Sequence, residues 1–183
     1  MAKYGLLGDE HFFCWLEDNA AALIDGDVEL RIEAVKRSCQ IKAKIVENDE
    51  REQGERALLN LGHTFCHALE GVTNFSDALL HGEGVSIGCS LAFDVSAKLG
   101  LCSQEAPSRV REHFKSINVA TDISQINGFV GSADQIYDLM AQDKKVVKGV
   151  IRFILASDIG KAVVQENVSK SLILEVLQDS LER

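Results

Sequence analysis

A single proline, Pro107, stands in the whole of this chain. Proline inside a helix removes a backbone hydrogen bond and clashes with the preceding turn, so a chain almost free of it can run helix after helix unbroken. Apolar residues recur at three- and four-residue steps in several segments, the pattern of helices that bury one face. The expected fold class is therefore mainly α, multihelical, in one domain spanning residues 1–183.

Residues 9–24 read as one helix, from the spacing of Phe12, Phe13, Trp15, Leu16 and Ala20. Residues 27–48 read as a longer one, with Leu30, Ala34, Val35, Ile41 and Ile45 on its apolar side. A polar turn follows at 49–54, then a third helix at 56–70 and a loop at 71–80. Residues 82–100 form a helix whose Gly84, Ser86, Gly88 and Ser90 are small enough for close packing. Shorter helices are expected at 106–117, opened by Pro107, and at 132–142. The tail changes character: residues 150–155 are β-prone, Ser157 to Gly160 make a turn, and residues 161–164 complete one small β-hairpin. A terminal helix at 168–181 takes Ser169 or Ser171 as its N-cap. Residues 1–8 are expected to fray, as chain ends do.

The formal charge is −9, with 19 basic against 28 acidic residues, which argues against a general nucleic-acid binder needing a basic footprint. No run of apolar residues is long enough to span a bilayer, so no membrane partner is expected. The first residues carry no signal-peptide pattern. The five cysteines, Cys14, Cys39, Cys66, Cys89 and Cys102, are odd in number and never spaced as CxxC. They read as free thiols of a cytoplasmic protein.

Three of the five histidines fall between residues 63 and 81. His63 and His67 lie four apart in a helical pattern and share a face. His81 opens the next helix after a loop long enough to fold back. Such an arrangement can present nitrogen ligands to Zn²⁺, with Glu70, Asp77 and Glu83 as nearby oxygen candidates. Two polar residues on a solvated helix face is the other reading, and HxxxH alone does not decide between them. His11 and His113 read as structural or surface groups. Cations are the second feature: Lys42 and Lys44, Arg56, and the Lys144–Lys145 pair. Asn60, three residues before His63, is expected to point the same way as His63 and His67. Lys, Arg, Asn and His together suit a phosphorylated or carboxylated small molecule, although each cation read alone is ordinary surface charge. Gly62 inside its helix reads as a mild cost, and Glu83 as a complement to a helix dipole.

Ser38 to Val46, Asp49 to Glu52, Arg56 to Glu70 (RALLNLGHTFCHALE), Leu80 to Val85, Asp143-Lys144-Lys145, Arg152 to Leu155 and Ile159-Gly160-Lys161 occur in the order and spacing of one family. From residue 3 to the end the chain resembles 3-dehydroquinate synthase, an enzyme family of the shikimate pathway of aromatic amino acid biosynthesis. The resemblance implies the multihelical C-terminal domain of that enzyme. It implies conversion of 3-deoxy-D-arabino-heptulosonate 7-phosphate to 3-dehydroquinate and phosphate. It also implies a Zn²⁺ or Co²⁺ ion, and NAD held mainly by an N-terminal Rossmann-like half outside this chain. His63 and His81 match the metal-ligating histidines. Lys42 and Arg56 match residues holding the substrate carboxylate and its neighbouring hydroxyls. Asn60 and His67 match residues near the phosphate, His67 with a part in proton transfer. Lys3, Lys144 and Lys145 match further substrate contacts. The partners implied are that phosphorylated carboxylate, the NAD-binding half and a second copy in a homodimer. The family's third ligand, the Glu of a Glu-Val-Ile-Lys pattern ending at Lys3, falls just before Met1, so the chain by itself is expected to be inactive. Cys66 replaces a glycine usual in the family. A related sugar-phosphate cyclase and a non-catalytic remnant domain are the alternatives.

Overall fold

The computed structural model describes residues 1–50, 54–142 and 151–183. Nine α-helices and one β-hairpin are seen among them: α1 (Ala2–Gly8), α2 (Glu10–Asp18), α3 (Ala20–Asp25), α4 (Val28–Asn48), α5 (His63–Val72), α6 (His81–Lys98), α7 (Ala106–Ser116), α8 (Ala133–Gln142), β1 (Phe153–Asp158), β2 (Lys161–Gln165) and α9 (Lys170–Glu182). Short 3₁₀ turns lie at Glu55–Asn60 and Ile123–Gln125. No helix among the described residues is long and apolar enough to cross a membrane.

Helix α6 is the axis of the molecule. Its side chains from Ser86 to Ala97 are all buried, and α5, α7, α9 and β1 pack around it. The small residues singled out in the sequence permit this. Ser86 donates to the Ala120 carbonyl at 2.7 Å, and the Ser96 hydroxyl receives the Ala156 amide of β1 at 3.0 Å. The hairpin is antiparallel, with Leu155 opposite Val163 and an irregularity between Ala156 and Asp158. Ser169 is the cap of α9, accepting from the Leu172 amide at 3.3 Å. One buried ion cluster ties the far ends together: Arg111 of α7 grips both oxygens of Asp94 of α6, and Arg183 reaches Asp94 and Asp122 at 3.0 Å each.

Three expectations are corrected. The helix expected at 9–24 is two, because Asn19 turns its side-chain amide onto the Trp15 carbonyl at 2.8 Å and ends α2 there. Asparagine competes in this way with the helical ladder. Residues 1–8 do not fray. They form α1, whose Leu6 and Leu7 are buried and whose Gly5 lies so close to Phe13 that an added Cβ would sit 3.0 Å from its backbone. The helix expected at 56–70 breaks at Leu61 and Gly62. Gly62 has φ +80°, and an added Cβ would lie 2.6 Å from the Cys89 amide of α6. The chain turns here to let the start of α5 approach α6, which is more than a mild cost to a continuous helix. The hairpin expected near 150–164 is present, with residues 143–150 outside the described part.

Candidate metal and substrate site

His63 is the first residue of α5 and His81 the first of α6, two helices that pack side by side. Their ring centroids are 5.7 Å apart, and His67 stands one turn further along α5, 5.5 Å from His63. Each of the two leading rings is fixed through its Nδ1. His63 Nδ1 faces the Leu61 carbonyl at 3.2 Å, and His81 Nδ1 faces Glu70 Oε1 at 2.8 Å. Both partners accept only, so both Nδ1 atoms donate and each Nε2, when its ring is neutral, keeps its lone pair. Metal-ligating histidines carry this kind of support on the nitrogen that does not bind.

His63 is also kept uncharged. Burial lowers its pKa to about 4, helped by the Lys3 ammonium and the other two rings and opposed by the bond to Leu61. A neutral imidazole is the form that ligates. Two imidazoles meeting at a tetrahedral ion with Zn–N near 2.0 Å have centroids about 5 Å apart, close to the spacing seen. The residues therefore fit a divalent ion held between His63 and His81. A second set of donor atoms, from Cys66, Glu70 and His81, lies within 4.8 Å of one another. Burial, and then the Glu70 carboxylate, push the Cys66 thiol up to about 12, so it stays protonated. Its Sγ lies 3.8 Å from the same His81 Nδ1 that Glu70 holds.

Lys3 of α1 completes the group. Its ammonium donates to the Leu59 carbonyl at 3.0 Å, and its pKa is lowered, first by burial. Lys3, His63 and His81 share a cavity of about 430 Å³, the size range of small-molecule sites. Much of its remaining wall is apolar, including Leu16, Val85 and Phe114.

The other expected site residues are distributed as follows. Lys42 is exposed on α4, near enough to Lys3 to lower its pKa. Arg56 lies on the 3₁₀ turn, donating to the Glu50 carbonyl at 2.8 Å. Asn60 sits on the far side of the Gly62 break from His63 and donates to the Ala57 carbonyl at 3.2 Å, so it does not share a helical face with His63 and His67. Neither Lys42, Arg56 nor Asn60 lines the cavity. Lys144 and Lys145 lie outside the described residues. Of the oxygen candidates, Glu83 is spent as a cap, accepting from the Leu80 amide at 3.0 Å, while Glu70 supports His81. His113, read as structural or surface, is buried against Phe13 and Phe114 and lines the cavity. Nothing in its sequence surroundings distinguishes it.

Among solved structures, the fold matches 2-epi-5-epi-valiolone synthase (ValA) from Streptomyces hygroscopicus subsp. jinggangensis 5008, a structure with NAD⁺ and Zn²⁺ bound. The TM-score is 0.84 at 23% identity, over 98% of this chain and 49% of that one. It also matches 2-deoxy-scyllo-inosose synthase complexed with carbaglucose-6-phosphate, NAD⁺ and Co²⁺, with TM-score 0.69 at 21% identity, over 82% of this chain and 42% of that one. The fold is thus one that these two synthases share over about half, or somewhat less, of their own chains. The chain belongs to the 3-dehydroquinate synthase C-terminal family, whose model matches residues 1–146. The 3-dehydroquinate synthases of Ruegeria sp. (strain TM1040) and Ruegeria pomeroyi are 63% and 61% identical to it over 181 residues, 99% of this chain. The chain spans about half the length of these relatives, 48% and 49%.

Proposed function

We propose that this chain is the metal- and substrate-binding half of a 3-dehydroquinate synthase, acting on 3-deoxy-D-arabino-heptulosonate 7-phosphate together with an NAD-binding half. The observation that carries the reading is the pair His63 and His81, both fixed through Nδ1 and both lining one cavity with Lys3. The relatives of the same name at 63% and 61% identity support the substrate.

Zn²⁺ or Co²⁺ at His63 and His81 would supply Lewis-acid polarisation of the alcohol to be oxidised. NAD on the other half would take up and return the hydride. The chain's own residues bind and orient. Lys3 places a positive charge beside the histidine pair, where an anionic substrate group is attracted and held. Lys42 and Arg56 are assigned to the carboxylate and adjacent hydroxyls, Asn60, Lys144 and Lys145 to the remaining polar groups. His67, one turn from His63, is assigned a proton transfer near the phosphate. The apolar wall lowers the local dielectric beside Lys3 and the histidine pair and strengthens their electrostatic contacts. Free thiols and the anionic surface fit a cytoplasmic enzyme.

The test is reconstitution. The chain alone, the NAD-binding half of the Ruegeria relative alone, and the two joined are assayed for phosphate release with NAD and Zn²⁺. Turnover is expected only in the joined protein, and it should fall at least 100-fold in His63→Ala and His81→Ala, about 3 kcal/mol of barrier. Release by the chain alone, or full activity of either variant, would sink the proposal. A preference of the joined protein for sedoheptulose 7-phosphate would move the substrate to one without a carboxylate and remove the role given to Lys42 and Arg56.

A further inference from the structure

We infer that Glu70 is a positioning residue for the metal site: its carboxylate holds the His81 ring with Nδ1 protonated, leaving Nε2 as the nitrogen that binds. This rests on the metal reading above and assigns a role to a residue that itself touches neither ion nor substrate.

The geometry is one-sided. Glu70 lies in the last turn of α5 and reaches across to the first residue of α6. Its side chain is only 15% exposed, while the ring it holds is 60% exposed. A sheltered carboxylate is a fixed acceptor, and a ring open on its other side would otherwise turn freely. Cys66, one turn earlier on α5, packs its Sγ against the same ring nitrogen and against the His81 carbonyl, 3.8 Å from each. Together they pin a side chain that has little else to hold it.

The contact with Glu70 has a chemical consequence. In water, neutral imidazole favours the proton on Nε2, the wrong form for a ring that must offer Nε2 to an ion. An acceptor at Nδ1 reverses the preference, and an anionic one also makes Nε2 a stronger donor to metal. His63 obtains the same form from a backbone carbonyl, which no side-chain substitution removes. His81 depends on a replaceable side chain. A hydrogen bond to so exposed a ring adds little to folding stability, so losing it should leave the fold in place.

The test uses the chain with ¹⁵N-labelled histidine, free of metal, in mildly alkaline buffer, compared with Glu70→Gln and Glu70→Ala. Ring-nitrogen shifts report which nitrogen carries the proton. The parent should show Nδ1–H on both His63 and His81. Glu70→Ala should move His81 alone toward Nε2–H. Glu70→Gln, which still offers an oxygen, should largely preserve the tautomer. Zinc affinity measured by chelator competition should fall about 10–100-fold in Glu70→Ala and less in Glu70→Gln. An unchanged His81 tautomer in a folded Glu70→Ala, or unchanged zinc affinity, would overturn the inference. So would a near-ultraviolet thiolate band on adding Co²⁺ that disappears in Cys66→Ser, because the ion would then be taking His81 through Nδ1. If the parent binds no zinc at His63 and His81, the metal reading fails, while the tautomer measurement still judges Glu70 separately.

Discussion

Gly88→Ala should damage this protein more than any ordinary addition of one methyl group to a helix. The new Cβ would fall inside the van der Waals shell of the Gly62 carbonyl oxygen, 2.9 Å from its carbonyl carbon and 3.2 Å from its Cα. All of these are backbone atoms, so no side chain can rotate away. Helix α6 gains about 1 kcal/mol from losing a glycine. Forcing a methyl into a full space costs about 1–3 kcal/mol, and backbone against backbone takes the upper end or more. The net expectation is a loss of about 2 kcal/mol or more, or about 4–8 °C in Tm for a chain of this size. Gly82→Ala on the same helix is the matched control: its Cβ would meet nothing within 4 Å, so it should be neutral or stabilising. Thermal unfolding followed by circular dichroism reads both. Because Gly62 directly precedes His63, Gly88→Ala should also weaken zinc binding, whereas Gly82→Ala should not. If Gly88→Ala is as stable as the parent, or if both variants lose stability equally, the close approach of α5 to α6 is not what sets the position of His63.

Four further outcomes are expected. Arg111→Leu leaves Asp94 and Asp122 buried with Arg183 as the remaining cation of their cluster, and should cost about 3–5 kcal/mol in urea unfolding; a loss under about 1 kcal/mol would contradict the pairing. Burial pushes the Asp122 carboxyl up, but Arg111, Thr121 and Arg183 outweigh it and hold it low, so its contribution is present above the unfolded carboxylate pKa and is lost as the pH falls through the lowered folded value. Burial lowers His113, whose Nδ1 has no hydrogen-bond partner among the described residues, so the unfolded chain takes up that proton first: stability should hold above the ordinary 6.5 and decline below it, and His113→Leu should flatten this part of the urea-midpoint profile. Finally, a disulfide reagent should label exposed Cys39 quickly, while Cys66 and Cys89, both pushed up to about 12 chiefly by burial, should react only on unfolding; rapid labelling of four or five thiols would contradict their burial.

The helical fold was legible because its evidence is periodic. Helix α4 runs from Val28 to Asn48, within a residue of the bounds read from Leu30, Ala34 and Ile45, and the small residues of α6 announced its buried position. The breaks were less legible. Asn19 ends a helix by bonding back onto the Trp15 carbonyl, and Gly62 interrupts one through its close approach to Cys89 of α6; a rule of apolar spacing sees neither contact. The same limit acted at the site. His63 and His81 stood out from the sequence, and the structure brings them together. The break at Gly62 separates Asn60 from them, and Glu70 was one of three equal oxygen candidates until its reach to His81 distinguished it from the capping Glu83. His113 and α1 depend wholly on what packs over them.

The turn of the hairpin has a bearing on when the site comes into being. The Gly160 amide donates to the Leu6 carbonyl at 2.9 Å, and Gly160, at φ +84°, lies so close to α2 that an added Cβ would meet the Glu10 amide. The helix that carries Lys3 is thus latched by residues made long after it. Closing a loop that long is slow and gains nothing until the far partner exists. Lys3 is made before the hairpin and is seated only after it. His63 and His81 can meet as soon as α6 is complete, but the charge beside them waits for the hairpin, and a chain stopped after α6 would hold a histidine pair without its lysine in register.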